Sequence, residues 1–150
     1  MALFLQRIVV AGPRPTTDEA KLFTCTVDLR WGRDARYNHP RHMRFPLKGH
    51  QPYLPPHRMQ AAVDAIDAFA AQRNMSDRML VHCENGVNRT GSVLIAWMCR
   101  HGLTFGDAVH HFRELRGKAP RAKLLVWLQK NLLHINPGQY RQPQIILQNL

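Results

Sequence analysis

Ten residues near the middle of this 150-residue chain carry the types and spacing for one kind of chemistry: His82-Cys83-Glu84-Asn85-Gly86-Val87-Asn88-Arg89-Thr90-Gly91. A cysteine is followed by five residues, then an arginine and a threonine. The apolar run Met79-Leu80-Val81 leads in as a strand, and Ser92 to Cys99 leads out as a helix. A strand, a tight loop and a helix N-terminus aim backbone N–H groups and the helix dipole at one spot, which makes an anion cradle. A free cysteine has a pKa of about 8.5, lowered to roughly 3.5–7.5 at a helix N-terminus beside a cation. Cys83 in that setting is a thiolate able to attack phosphorus. Arg89 supplies a planar fork that holds two phosphate oxygens and keeps its proton.

The neighbouring residues fit the same chemistry. The loop from Glu84 through Asn85, Gly86, Val87 and Asn88 to Arg89 is expected to wrap the phosphate. Gly86 lets the loop turn and its backbone approach the anion. The Thr90 hydroxyl is placed to donate to the sulfur, first as attacking and later as leaving group. His82 is expected to fix the loop through a backbone hydrogen bond, and Gly91 to let the helix start close against the sheet. Cys25 and Cys99 lack such a setting and read as small buried hydrophobes. The alternative for the loop as a whole is phosphate binding without turnover.

The stretch resembles the signature loop of cysteine-dependent phosphatases, His-Cys-five residues-Arg-Thr/Ser. Its Asn88-Arg89-Thr90-Gly91 ending is similar to the RNA 5′-triphosphatase branch, which includes the triphosphatase domains of metazoan mRNA capping enzymes and the stand-alone RNA phosphatases of animals and baculoviruses. Val27-Asp28-Leu29-Arg30 and Arg36-Tyr37-Asn38-His39-Pro40 resemble that branch's strand and Tyr-containing segment. Pro46-Leu47-Lys48-Gly49-His50 is similar to its Pro-Cys-Lys-Gly-His segment, and Arg113 to Leu133 to its final Arg-rich turn and helix. The likeness thus spans roughly residues 25 to 133. It implies a dual-specificity-phosphatase-like fold, a phosphocysteine intermediate, no cofactor and no metal. It also implies supporting roles for Lys48 and His50 at the outer phosphates or the pocket wall. Glu84-Asn85 stand where that branch has Thr-His, and an acidic side chain inside the cradle repels phosphate unless it points away.

Protein phosphatases of that superfamily protonate the leaving oxygen with a loop aspartate. The segment from Lys48 to Pro56, where dual-specificity relatives carry it, has no Asp or Glu. Asp34 and His50 are the remaining candidates, and Asp28 reads as a strand end. A phenol of pKa about 10 needs that proton far more than a phosphate leaving from an anhydride, whose second pKa is about 6. The missing acid therefore points to a 5′-triphosphate RNA end, with Cys83 attacking the γ-phosphorus. A dual-specificity protein phosphatase is the alternative, and a non-catalytic phosphate- or RNA-binding module the second. No Lys-x-Asp-Gly motif occurs, so a separate capping guanylyltransferase is the expected partner if the chain serves capping.

Composition bounds these readings. A chain of this length makes one domain with a sizeable core. Twenty-one basic against ten acidic residues give +11, which favours anionic partners. Two basic clusters, Arg30 to Lys48 and Arg113 to Lys123, are candidates for a groove leading RNA phosphates to Cys83. Three cysteines make no disulfide framework, which favours a reducing intracellular compartment, cytoplasm or nucleus. No signal peptide or membrane span is legible, so no membrane partner is expected. The nine histidines tempt a metal reading, but His39 and His42, and His110 and His111, lack the accompanying acidic or cysteine spacing of a metal site.

The elements that position the loop follow from periodicity. Strands are expected at residues 7–11, 25–29, 42–46 and 78–82. Helices are expected at 17–22, 57–74, 88–101 (closed by Gly102), 104–116 and 121–133. Loops fill 31–40 and 49–56, and the tail from Asn136 is expected to pack loosely or be disordered. Strands alternating with helices predict a single α/β domain around a mainly parallel sheet.

Overall fold

The computed structural model describes residues 9–32, 37–48, 56–72 and 76–137. Four short strands form one parallel sheet: β1 (Val9–Gly12), β2 (Cys25–Asp28), β3 (His42–Arg44) and β4 (Met79–His82), in the order β1-β4-β2-β3. β4 lies inside the sheet, flanked by β1 and β2, in register from Met79 to His82 on both sides. β2 and β4 are buried at every residue, although Cys-Thr-Val-Asp alternates in polarity, so Thr26 and Asp28 enter the interior as polar groups that need partners there. The loop that follows β4 therefore leaves the C-terminal edge of the sheet at its centre, where open α/β sheets hold their ligands.

The described residues form five helices: α1 (Thr17–Ala20), α2 (Pro56–Ala71), α3 (Asn88–Arg100), α4 (Phe105–Arg116) and α5 (Ala122–Ile135). α1 starts in a capping box, with Thr16 accepting from the Glu19 N–H and the Glu19 carboxylate accepting from the Thr16 N–H. α2 buries Met59, Val63, Ile66, Phe69 and Ala70, the stripe expected from their spacing. α4 is capped by Thr104, whose hydroxyl accepts from Asp107 N, and stops at Gly117 in the left-handed region. α3 is buried almost all round, from Thr90 to Met98, because it packs on β1 and β4 with α2, α4 and α5 around it.

Strand and helix ends coincide with the periodic expectation or differ from it by one to three residues. Phe45 and Leu47 fall outside β3 yet continue its bonding, donating to the carbonyls of Asp28 and Leu29 at 3.0 Å each. The expected start of β1 at residue 7, the end of α2 near residue 74 and the 49–55 loop lie outside the described residues, as do residues 138–150 of the tail. Asn136 is not loose. Its side-chain oxygen accepts from Arg100 Nε at 2.9 Å and its amide donates to the Ala96 carbonyl at 3.0 Å. Arg100 also pairs with Asp64 at 2.7 Å, so α2, α3 and the end of α5 share one buried cation.

Candidate active site

β4 ends at His82, and the chain then turns sharply through residues 83–87 before α3 begins at Asn88. Gly86 has φ +72°, and a Cβ built there would lie 2.4 Å from the Gly12 carbonyl carbon. Only glycine allows the loop to press against the end of β1 in this way. Arg14 N donates to the Glu84 carbonyl at 3.1 Å, fixing the same contact one step further along. Gly91 admits α4 and the loop before α5: a Cβ there would stand 2.5 Å from Pro120 and 2.8 Å from the Phe112 ring.

Cys83 is 2% exposed at the base of this loop. Thr90 Oγ1 donates to its sulfur at 3.2 Å. Burial works against the thiolate, but the Thr90 hydroxyl and N–H, the Arg89 charge and the Gly86 N–H outweigh it and hold the thiol below its ordinary value. The other two cysteines show what burial does alone. It pushes Cys25 up to about 11, against a partly opposing Arg41, and Cys99 up to about 12. The fold thus lowers one thiol and raises the other two.

Arg89 reaches across the loop and donates through Nη1 to the Leu47 carbonyl at 3.2 Å. Lys48 is exposed beside that contact. Asn88 stands at the first turn of α3 and its side-chain oxygen accepts from Arg121 N at 3.0 Å, tying the loop to the start of α5. Glu84 turns out of the cradle. Its carboxylate lies 3.5 Å from Arg14 Nη1 and 3.8 Å from Arg30 Nη1, so its charge is matched by cations at the rim.

Beneath the loop lies a buried polar cluster that the sequence only partly announces. Asp28 is fully buried and held by Arg30 through Nε at 3.0 Å, Nη2 at 2.9 Å and the backbone N–H at 2.9 Å. Burial alone would raise the Asp28 carboxyl; the Arg30 contacts and the nearby His82 hold it below the usual carboxylate range. Arg44 Nε adds a second cation at 3.7 Å. Arg30 and Arg44, read from sequence as part of a basic groove, therefore turn inward to neutralise a carboxylate. Arg33 and Arg36 lie outside the described residues.

His82 is fully buried, and burial drops its pKa to about 4, so the ring is neutral. Its Nδ1 faces two acceptors, the Cys83 carbonyl at 3.3 Å and the Asp28 carboxylate at 4.0 Å, and so carries the proton. Nε2 is then an acceptor, and the Tyr37 hydroxyl 2.6 Å away must donate to it. Tyr37 OH also meets His42 Nδ1 at 2.9 Å, and Thr26 Oγ1 lies 2.9 Å from the same nitrogen. Two strands and the loop before β3 thereby fix the ring that donates to the carbonyl of the nucleophile candidate. From the other side, Arg116 at the end of α4 donates to the carbonyls of Gly86 at 3.1 Å and Asn85 at 3.3 Å.

Tyr37 and Arg116 were not singled out by the sequence as parts of the loop's support. Asp34 and His50, the sequence candidates for a proton donor, lie outside the described residues. Among the described residues no group of three or more His, Cys, Asp or Glu side chains is placed to hold a metal ion. His39 spends its ring on backbone, meeting the Phe23 carbonyl at 2.8 Å and accepting from Arg41 N at 3.0 Å. An open cavity of about 740 Å³ between Lys21, Phe23, His39 and Pro40 sits at the N-terminal ends of β2 and β3, opposite the Cys83 loop. No described helix is long and apolar enough to cross a membrane.

Comparison with known proteins places this geometry. Residues 12–131 match the family model for the dual specificity phosphatase catalytic domain. A 57-residue stretch is 42% identical to the Arabidopsis thaliana protein-tyrosine-phosphatase MKP1, covering 37% of this chain and only 7% of that much longer protein. Among solved structures, PTPMT1 superposes with a TM-score of 0.70 at 14% identity, covering 85% of this chain and 90% of that one. The human tyrosine phosphatase-like serine/threonine/tyrosine-interacting protein superposes with a TM-score of 0.68 at 20% identity, covering 85% and 91%. At such identities the structural matches speak for the fold alone.

Proposed function

The chain belongs to the dual specificity phosphatase catalytic-domain family, and on that premise we propose that it is a working phosphatase that removes phosphate from protein side chains through a phosphocysteine. The observation that carries this reading is the Thr90 hydroxyl on the Cys83 sulfur at 3.2 Å, in a loop that keeps the thiol below its ordinary value. In the proposed reaction the Cys83 sulfur attacks phosphorus, an S–P bond forms, the P–O bond to the substrate breaks and the leaving oxygen takes a proton from solvent. Arg89 exchanges the Leu47 carbonyl for two equatorial phosphate oxygens, and the loop N–H groups take the remaining charge. Water then cleaves the S–P bond, and Thr90 stabilises the departing thiolate. Positioning and charge supply most of the rate, since the transition state is loose.

A second reading, hydrolysis of RNA 5′-triphosphate ends, is favoured by one specific observation. The segment from Lys48 to Pro56 holds no carboxylic acid, and an anhydride phosphate departs without much help from one. The Asn88-Arg89-Thr90-Gly91 ending and the +11 charge agree with it.

The test is phosphate release from a phosphotyrosine peptide and from a 5′-triphosphate RNA oligonucleotide, both in chelator, with Cys83→Ser as control. Faster Cys83-dependent release from the peptide supports the phosphoprotein reading. Faster release from RNA replaces it with the second. No turnover of either, with phosphate or tungstate still bound, makes the chain a binding module.

A further inference from the structure

Trp31 is large, apolar and 52% exposed, yet it is held in place from several sides. Arg44 Nη2 donates to the carbonyls of its two chain neighbours, Arg30 at 3.0 Å and Gly32. Lys48 Nζ lies 4.9 Å from the indole centroid and Arg58 Cζ 5.5 Å from it, both over the ring. Arg58 also donates to the Pro46 carbonyl at 3.3 Å. An indole so placed attracts and orders two long cationic side chains that would otherwise roam.

This assembly borders the Cys83 loop at two points. Lys48 follows Leu47, whose carbonyl holds Arg89 at 3.2 Å. Arg30 precedes Trp31 and reaches Glu84 at 3.8 Å. Among the described residues no carboxylate is paired with Lys48 or Arg58. Two ordered cations with no counter-charge among the described residues, at the rim of a phosphate cradle, form half of an ionic contact. Their contacts with the indole and with the Pro46 carbonyl hold them in place without neutralising their charge.

We propose that Trp31, Lys48 and Arg58 form a subsite for an acidic side chain flanking the phosphorylated residue, so that this phosphatase prefers acidic phosphopeptides. The proposal rests on the phosphoprotein reading and names the substrate class within it. The scissile phosphate enters the loop, and a carboxylate one or two residues away meets the Lys48 ammonium and the Arg58 guanidinium. Trp31 pre-organises both cations, which lowers the ordering cost of the contact. The chain's +11 charge draws the same substrates in from solution.

The experiment compares two phosphotyrosine peptides that differ only in having glutamate or glutamine on either side of the phosphorylated residue. The readout is the ratio of their kcat/KM values, with release from p-nitrophenyl phosphate, absent in Cys83→Ser, reporting the reaction itself. The expected ratio is about fivefold in favour of the acidic peptide, in line with two exposed ion pairs. Trp31→Leu and Arg58→Gln each bring it toward one through KM. Lys130→Gln, which removes a charge from the exposed face of α5, leaves it as it was. Equal rates on the two peptides overturn the subsite while the phosphoprotein reading stands. So does a ratio that survives Trp31→Leu and Arg58→Gln, or one that Lys130→Gln lowers as much. If p-nitrophenyl phosphate is hydrolysed but neither peptide is, the phosphoprotein reading falls and the subsite with it. A Trp31→Leu defect seen on 5′-triphosphate RNA and not on peptides assigns the patch to nucleic acid and overturns the proposal.

Discussion

Arg116 holds Gly86 by its carbonyl, with Nε donating across 3.1 Å from the last turn of α4 to the middle of the Cys83 loop. The second contact, Nη2 to the Asn85 carbonyl at 3.3 Å, makes the grip two-pronged. Carbonyls drawn outward toward a cation leave their peptide N–H groups facing the cradle. Arg116 thus acts on the anion through the loop backbone. Arg116→Met is expected to lower kcat/KM by about 10- to 100-fold, the usual cost of losing charge-assisted bonds. Arg116→Lys keeps the charge without the fork and recovers only part of it. The check is kcat/KM together with the inhibition constant for phosphate; an intact constant alongside lost activity would contradict a role through the loop.

Thr90 offers a sharper test of the sulfur. The thiol lies below its ordinary value although burial opposes this, and the Thr90 hydroxyl is the largest of the groups that win. The thiolate is the species that reacts with iodoacetate, so alkylation rises with pH through the thiol pKa. Thr90→Ala removes the hydroxyl and must move that rise to higher pH. It also slows breakdown of the phosphocysteine, so a burst of product ahead of steady turnover is expected. An unmoved alkylation profile would remove Thr90 from the account of the low pKa.

The rim carboxylate has the opposite sign. Glu84 is about half exposed and is matched by Arg14 at 3.5 Å and Arg30 at 3.8 Å. The repulsion expected from an acid next to the nucleophile is thereby reduced, since the side chain points at cations and away from the cradle. Glu84→Gln keeps the shape and frees the charge of Arg14. Phosphate inhibition is expected to tighten by about two- to fivefold at low salt and by less at high salt. Weaker inhibition would mean that Glu84 organises the loop more than it repels anions.

What the sequence made legible was local. Cys83, Arg89 and Thr90 lie within one loop and helix start, and their proximity is readable from spacing because the loop is built by consecutive residues. The parallel sheet was legible because short runs rich in β-branched and apolar residues, Cys25 to Asp28 and Met79 to His82, alternate with segments of helical period. What stayed hidden was joined across the chain. Tyr37 and His82 are 45 positions apart, Arg116 and Gly86 are 30 apart, and no periodicity connects them. Charge was misleading for a related reason: Arg30 and Arg44 look like surface cations until Asp28 is seen fully buried beneath them. Asn136 looked like the start of a tail because nothing local shows that Arg100 needs its oxygen.

His82 ties this hidden support to pH. Its pKa is about 4 in the folded protein, against an ordinary value near 6.5, because burial disfavours the charged ring. Between those two values the unfolded chain binds more protons at this site than the folded one, so stability falls as pH drops through that window. The full effect is about 3 kcal/mol for His82 acting alone. His42, also lowered by burial, acts in the same direction. Asp28 has its carboxyl lowered as well, so the stability it gives is intact above the unfolded value of 3.8 and is lost only as pH falls below it. Urea unfolding measured at pH 7 and at pH 5 is therefore expected to show a marked loss, and His82→Asn to flatten it without abolishing it. Tyr37→Phe leaves the His82 Nε2 acceptor buried and unsatisfied, which costs about 1–3 kcal/mol at pH 7. The Cys83 carbonyl and the Asp28 carboxylate still keep the proton on Nδ1, but the ring loses the contact that anchors its far side, so its bond to the Cys83 carbonyl weakens and the iodoacetate profile shifts up in pH. A Tyr37→Phe protein that unfolds more easily yet keeps the wild-type alkylation profile would show that Tyr37 supports the fold and not the sulfur.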